Sequence, residues 1–440
     1  MTTTPARPST AWPDLHVVPS GPKAAVATRI ARQLFRGAVR RLPVTVHEGA
    51  RTWGTGGPEM VIHRPAEFFA RLGSDGLIGF GEAYLTGAWD AEDLGGFLTV
   101  LAADLPRLIP EPLQKLRAAY VRRPPRHQQN TEDNTRDNIA HHYDLSNDMF
   151  RVFLDETLSY SSALYDATVL DAGDHLVATP PEGSDAEPLA EAQGRKIERL
   201  LDRAGVREGS RVLEIGTGWG ELAIRAARRG ATVHSVTLSS EQLELAEERI
   251  AEAGYADRVR VELSDYRAVS TGPTAGVTYD AVVSVEMIEA VGHEYWSTYF
   301  RTIDRLLAPG GKVGVQAITM PHDRMLATRH TWTWINKYIF PGGFLPSVEA
   351  IDEVTRADTT LRISERLSFG QHYAETLRRW DAAYLAETDR VRALGFDETF
   401  DRMWHFYLEY SRAGFASGYL DVQQIVLQRT PQTTPDRTPA

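Results

Sequence analysis

Apolar positions along this chain recur with two periods. From residue 28 to 42, TRIARQLFRGAVRRL sets Ile30, Leu34, Phe35, Ala38, Val39 and Leu42 on one face of a helix and Arg29, Arg32, Arg36 and Arg40 on another. A basic amphipathic helix of this kind suits a lipid headgroup layer or packing against its own domain. Short β-type runs, VTVHEG and EMVIHRP, then alternate with an apolar, Gly-rich helical stretch up to about residue 120 and predict a small α+β domain. The polar run at 126–140 reads as a linker, and the acidic, Pro-containing run at 166–193 as a surface loop. Further on, strand-type runs (RVLEI, TVHSVT, VRVEL, YDAVVSV) alternate with helical ones such as ELAIRAARRG and EQLELAEERIAEAG. That alternation predicts an α/β domain with a mostly parallel twisted sheet and helices on both faces. The expected organisation is a disordered 1–22, a small domain at 23–125, the linker 126–140, the α/β domain at 141–429 and a disordered 430–440.

Composition narrows the chemistry. With 440 residues, 42% hydrophobic and 24% charged, the chain can bury a large core. It has no cysteine, which excludes disulfides, thiolate metal sites and cysteine nucleophiles, and no metal-ligating cluster stands out. No apolar run approaches the roughly 20 residues of a membrane span, and the N-terminal residues lack a signal-peptide core, so a cytoplasmic location is expected. The net charge of -11 is uneven, because residues 1–130 carry 16 Lys/Arg against 11 Asp/Glu. Nucleic acid is an unsuitable partner for the acidic remainder, whereas the basic N-terminal part suits an anionic membrane surface.

Residues 211–220, RVLEIGTGWG, read as a strand, a tight turn and a helix start. Gly216, Gly218 and Gly220 let backbone approach a ligand closely, with Thr217 between them. The spacing is E-x-G-x-G-x-G rather than G-x-G-x-x-G, and Glu214 precedes the first glycine. A carboxylate there suits the amino group of a methionine moiety and opposes a pyrophosphate, which points to S-adenosylmethionine. The next strand, TVHSVTLS, ends without an acidic ribose ligand; Gln242 is the nearest substitute, and Ser239 and Gln242 also fit a capping box. Asp265 and Tyr266 follow the third strand, where related folds meet the adenine. YDAVVSVEMIEAVG delivers Glu286 and Glu289 to a strand's C-terminal end.

Together with HHYDLSNDMFRVFLDETLSYSSALYD (141–166), EMIEAVGHEYW, IFPGGFLPS, QHYAETLRRW and GYLDVQQIVLQR, these runs resemble the cyclopropane-fatty-acyl-phospholipid synthases and mycolic-acid cyclopropane synthases, in order, from about residue 140 to 429. IGFGEAYLTGAWD resembles the N-terminal domain of the phospholipid-acting members. The resemblance implies a Rossmann-like S-adenosylmethionine-dependent methyltransferase domain. It implies a substrate of unsaturated acyl chains of phospholipid at the inner membrane face, with a homodimer as the candidate assembly. It places Tyr160, Ser161, Gly216 to Gly220, Thr237, Leu238, Gln242, Asp265, Tyr266 and Val285 at the cofactor. It places a bicarbonate ion near Ser162, Glu286, Glu289, Gln316, Ile318 and Tyr373. Ser162 and Gln316 stand where the family typically has Cys and His, so hydrogen bonding survives but thiol and imidazole chemistry do not. Glu289, or an ion it holds, is the candidate base, oriented by Tyr373. Ala290 and Gln316 resemble the actinobacterial branch whose product is a 10-methylene acyl chain, reduced by a separate flavin enzyme; a cyclopropane is the alternative product.

Overall fold

The computed structural model describes residues 12–104, 146–180, 187–269 and 276–430. The chain divides into two compact units, and the division is discontinuous. One unit comprises Met1–Glu156, Ala327–Gly343 and Gly370–Asp421; the other comprises Thr157–Leu326, Phe344–Phe369 and Val422–Ala440. This is not the linear division of the sequence reading, whose linker at 126–140 lies outside the described residues. Aromatic side chains far apart in sequence account for the difference: Trp334, Trp380 and Trp404 are almost wholly buried, and Phe153 packs on both Trp380 and Trp404.

In the first unit, β1 (Thr45–Glu48), β2 (Arg51–Gly54), β3 (Glu59–Ile62) and β4 (Trp89–Ala91) form a sheet ordered β2-β1-β3-β4. The helix expected over 28–42 runs instead from Pro22 to Val39. It meets the helix Pro65–Asp75 at Ala27, whose backbone would lie 2.7 Å from a Cβ on Gly73. Ile30 is nevertheless 50% exposed, beside Val26 at 62%. Three of the four arginines are engaged, Arg36 with Glu48 at 2.6 Å and Arg32 and Arg40 over the rings of Phe69 and Trp53, while Arg29 is exposed. Residues 12–22 were expected to be disordered, yet Pro13–His16 is helical, because Leu15 is buried and the Trp12 indole donates to Asp397 at 3.0 Å. In the stretch from Trp332 to Phe340, Trp334 and Ile339 are core. A Cβ on Gly81 would strike the Trp334 ring at 2.5 Å, so that glycine shapes the indole's seat.

The second unit carries β5 (Thr168–Asp171), β6 (Leu176–Thr179), β7 (Arg211–Ile215), β8 (Thr232–Thr237), β9 (Val259–Leu263), β10 (Tyr279–Val285), β11 (Leu307–Thr319), β12 (Leu361–Ser368) and β13 (Asp421–Arg429). They form one sheet ordered β5-β6-β12-β13-β11-β10-β7-β8-β9. The pairs β7/β8, β8/β9, β7/β10 and β10/β11 are parallel. One core layer involves the helices Leu189–Arg203, Glu221–Arg228 and Ser240–Glu252, the other Trp296–Leu306 and Val348–Asp358. With both faces covered, central strands such as β10 are nearly continuously apolar. The loop expected at 166–193 is instead the hairpin β5/β6 followed by the helix from Leu189; β6 completes its backbone bonds on β12, a partner no local pattern discloses. The chain steps outward from β7 to β8 and β9 and then returns to the other side of β7 as β10. The carboxyl ends of β7 and β10 are therefore a topological switch point, where α/β sheets bind ligands.

Candidate active site at the switch point

At the end of β7, Gly216, Gly218 and Gly220 all have positive φ, of 97°, 51° and 90°. A Cβ on Gly216 would come within 2.4 Å of Met287, so the glycine turn and the segment after β10 are in direct apposition. A Cβ on Gly218 would meet nothing within 4 Å, leaving open space at that point of the turn. Glu214 lies inside: Ser235 donates to it at 2.5 Å, Thr217 and Ser235 hydroxyls are 2.7 Å apart, and burial pushes its carboxyl up to about 8. Thr237 donates to Gln242 at 3.0 Å while Ser239 caps the helix beginning at Ser240, so Gln242 is held from both ends. Asp265 accepts from the Arg267 backbone and guanidinium at 2.6 to 2.8 Å, and Tyr266 packs edge-on against Tyr299 at 5.3 Å. Leu238 and Val285 are half-buried near the ends of their strands.

Several residues in this region escaped the sequence reading. Lys196, 1% exposed, donates to Ser161 Oγ at 2.6 Å, and Gln193 donates to the carbonyls of Ser159 and Ser161, which fixes the backbone around Tyr160. Arg249 donates to the Trp219 and Thr157 carbonyls and so ties the glycine turn to that same segment. Buried polar positions on otherwise amphipathic helices were the signal available for them.

The second cluster follows β10. Glu286 has a φ of 53°, a conformation rare outside glycine. Its Oε1 accepts from the Ser162 N–H at 3.0 Å and from the Gln316 amide at 2.9 Å. Glu289 lies in the first turn of the short helix Ile288–Val291; its Oε1 accepts from the Ile318 N–H at 2.5 Å, and its Oε2 is buried with no hydrogen-bond partner among the described residues. Burial first, and the Glu286 charge second, push Glu289 up to about 8. A buried carboxyl with one oxygen fixed and one open is equipped to exchange a proton. Tyr373 belongs to the other compact unit, where it is buried and stacks on Phe415 at 4.5 Å.

The glycine turn fits the cofactor expected of it, with open space at Gly218 and polar groups on the adjoining strand ends. Bicarbonate fits less well. In this unit the Ile318 N–H is spent on Glu289, the Ser162 hydroxyl on the Ala163 carbonyl, and the Gln316 amide on Glu286 and the Ser162 carbonyl. The open atom of the cluster, Glu289 Oε2, belongs to a carboxyl raised to about 8, which near neutral pH is largely protonated and can donate.

A doubly wound sheet with this glycine turn at its switch point defines an S-adenosylmethionine-dependent methyltransferase, an enzyme. A profile described as mycolic acid cyclopropane synthetase matches residues 130–425, and the chain belongs to that family. It is 51% identical over 422 residues, 95% of each chain, to the tuberculostearic acid methyltransferase UfaA1 of Mycobacterium tuberculosis. It is 32% identical to the cyclopropane-fatty-acyl-phospholipid synthase of Escherichia coli K12, over 82% of this chain and 86% of that one. The structure of the mycolic acid cyclopropane synthase CmaA1 complexed with SAH and CTAB aligns with a TM-score of 0.57 at 30% identity, covering 67% of this chain and 98% of that one.

Proposed function

We propose that this enzyme transfers a one-carbon unit to the cis double bond of an unsaturated acyl chain in a membrane phospholipid, converting an oleoyl chain to a 10-methylene-stearoyl chain. The observation that carries the reading is the open, buried Oε2 of Glu289 beside a segment that faces the glycine turn. The 51% identity to a tuberculostearic acid methyltransferase supports the acyl substrate and the methylene product, and the synthase relatives keep the cyclopropane as the alternative.

When bound, S-adenosylmethionine supplies an electrophilic methyl group. The glycine turn presents it, and the buried segment around Tyr160 and Ser161 excludes water. The π electrons of the double bond would form the new carbon–carbon bond as the methyl–sulfur bond breaks and the neutral thioether leaves, so that positive charge would develop on the chain. Glu289 Oε2 then takes a proton: directly from the new methyl to close a cyclopropane, or after a hydride shift to leave an exocyclic methylene. Its raised pKa keeps it near the working pH, where a general base is most effective.

The exposed Val26 and Ile30, with Lys23 and Arg29 exposed on the same helix, support docking on an anionic bilayer. No helix among the described residues is long and apolar enough to cross a membrane. A cytoplasmic, peripheral enzyme acting at the inner face, alone or as a homodimer, with a separate flavin-dependent reductase to saturate the methylene, completes the reading. The test is analysis of phospholipid acyl chains from an oleate-fed host expressing the protein. A gain of one CH2 with vinylidene protons in the NMR spectrum is expected; cyclopropane protons would select the alternative, and unmodified oleate would overturn both.

A further inference from the structure

Behind Glu286 runs a chain of buried amides that the family resemblance did not anticipate. Gln424 on β13 and Gln316 on β11 are both 0% exposed. At the outer end, Arg199 bonds Glu365 at 2.8 Å and donates to Gln424 Oε1 at 2.7 Å. Gln424 Nε2 donates inward, to the Lys196 carbonyl at 2.9 Å and to Gln316 Oε1 at 3.2 Å. Gln316 Nε2 then donates to the Ser162 carbonyl at 3.3 Å and to Glu286 Oε1 at 2.9 Å.

An amide side chain has one donor end and one acceptor end, whereas a guanidinium only donates. Arg199 therefore compels Gln424 to turn its oxygen outward and its NH2 inward. Gln424 in turn compels Gln316 to do the same. The direction that Arg199 imposes at the half-buried end also suits the Lys196 and Ser162 carbonyls, and it is delivered to Glu286.

We propose that Arg199 and Gln424 are positioning residues that set this direction, so that Gln316 meets Glu286 with its donor end and Glu286 stays an acceptor beside Glu289. The proposal rests on the reading of Glu289 as the base. In this unit the groups bearing on Glu289 are Glu286 on its own segment and Tyr299 from the helix Trp296–Leu306, itself against Tyr266. The Lys196 ammonium is bonded to Ser161, one residue before the Ser162 N–H that meets Glu286, and Arg199 stands at the outer end of the amide chain. If the chain reversed, the Gln316 carbonyl would face Glu286 and favour its protonated form. The negative charge next to Glu289 would be lost, and Glu289 would ionise at lower pH.

The test uses the full-length enzyme with phospholipid vesicles, following turnover from about pH 6 to about pH 9 alongside calorimetry of S-adenosylmethionine binding. Gln424→Glu keeps the size and the pair with Arg199 but accepts at both ends, which reverses Gln316. It should cut turnover about tenfold and move the acid-side limb of the profile down by about one pH unit, with cofactor affinity within about twofold. Arg199→Lys, still donor-only, should keep the parent limb. Should Gln424→Glu not fold, Arg199→Gln releases the direction without adding charge and should move the limb the same way by a smaller step. An unmoved limb in a folded Gln424→Glu or Arg199→Gln enzyme overturns the proposal. The two readings fail separately: near-normal turnover in Glu289→Gln removes the base, while an inactive Glu289→Gln with an unmoved Gln424→Glu limb removes only the amide chain.

Discussion

Replacing Glu289 by Gln should harm catalysis and help folding, and the two effects can be sized from one structural feature. The Glu289 carboxyl is raised from 4.5 to about 8, chiefly by burial. In the unfolded chain it ionises near its ordinary value, so between these limits the folded state holds more protons than the unfolded state. Stability is then complete below about pH 4.5 and is lost as pH rises through about 8. Linkage puts this penalty under about 1 kcal/mol at pH 5, about 3 kcal/mol at pH 7 and about 4 kcal/mol at pH 8. Gln is isosteric and neutral: its oxygen can accept from the Ile318 N–H, and its NH2 takes the place of the open Oε2. Glu214, raised to about 8 for the same reason, is common to both proteins and cancels from the comparison. Urea denaturation at a series of pH values should show the advantage of Glu289→Gln over the parent growing by about 3 kcal/mol from pH 5 to pH 8. The same protein should turn over roughly 100-fold more slowly or worse while binding S-adenosylmethionine normally. A stability difference independent of pH would refute the buried, proton-holding carboxyl; undiminished turnover would refute its role as base.

Gly218→Val should abolish cofactor binding in calorimetry, because a β-branched side chain resists a φ of 51° and projects into the open space at the turn; unchanged affinity would remove the cofactor assignment. Gln316→His should raise the cyclopropane fraction of the product, since two ring nitrogens cannot reproduce the bonds to Glu286, Ser162 and Gln424; an unchanged ratio by NMR would assign control of the hydride shift to other walls of the pocket. Val26→Ser combined with Ile30→Ser should weaken sedimentation with anionic vesicles at least several-fold without altering cofactor affinity, as two half-exposed apolar side chains are worth on the order of 1–3 kcal/mol of interfacial binding; equal sedimentation would place the docking surface elsewhere. Truncating the first 120 residues is a poor version of that test, because their compact unit also contains Trp334, Trp380 and Trp404 from later in the chain.

What the sequence determined by itself was what short-range pattern encodes. The glycine turn is legible because positive φ at Gly216, Gly218 and Gly220 is a property of single residues, and the central strands because burial on both faces makes them continuously apolar. Glu286 and Glu289 could be placed at a strand end for the same reason. Only the tertiary structure decided which donors those carboxyls meet: Ser162, Gln316, Ile318 and, one step behind, Gln424 and Arg199 are bonded to partners up to 225 positions away. It also decided the hairpin at 168–179 and the discontinuous compact units. Each depends on a partner distant in sequence, and an amide or a carboxyl carries no local mark of the group that will hold it. Burial of a polar side chain is favourable only once that partner is in place, so its identity is settled when the sheet closes and not before.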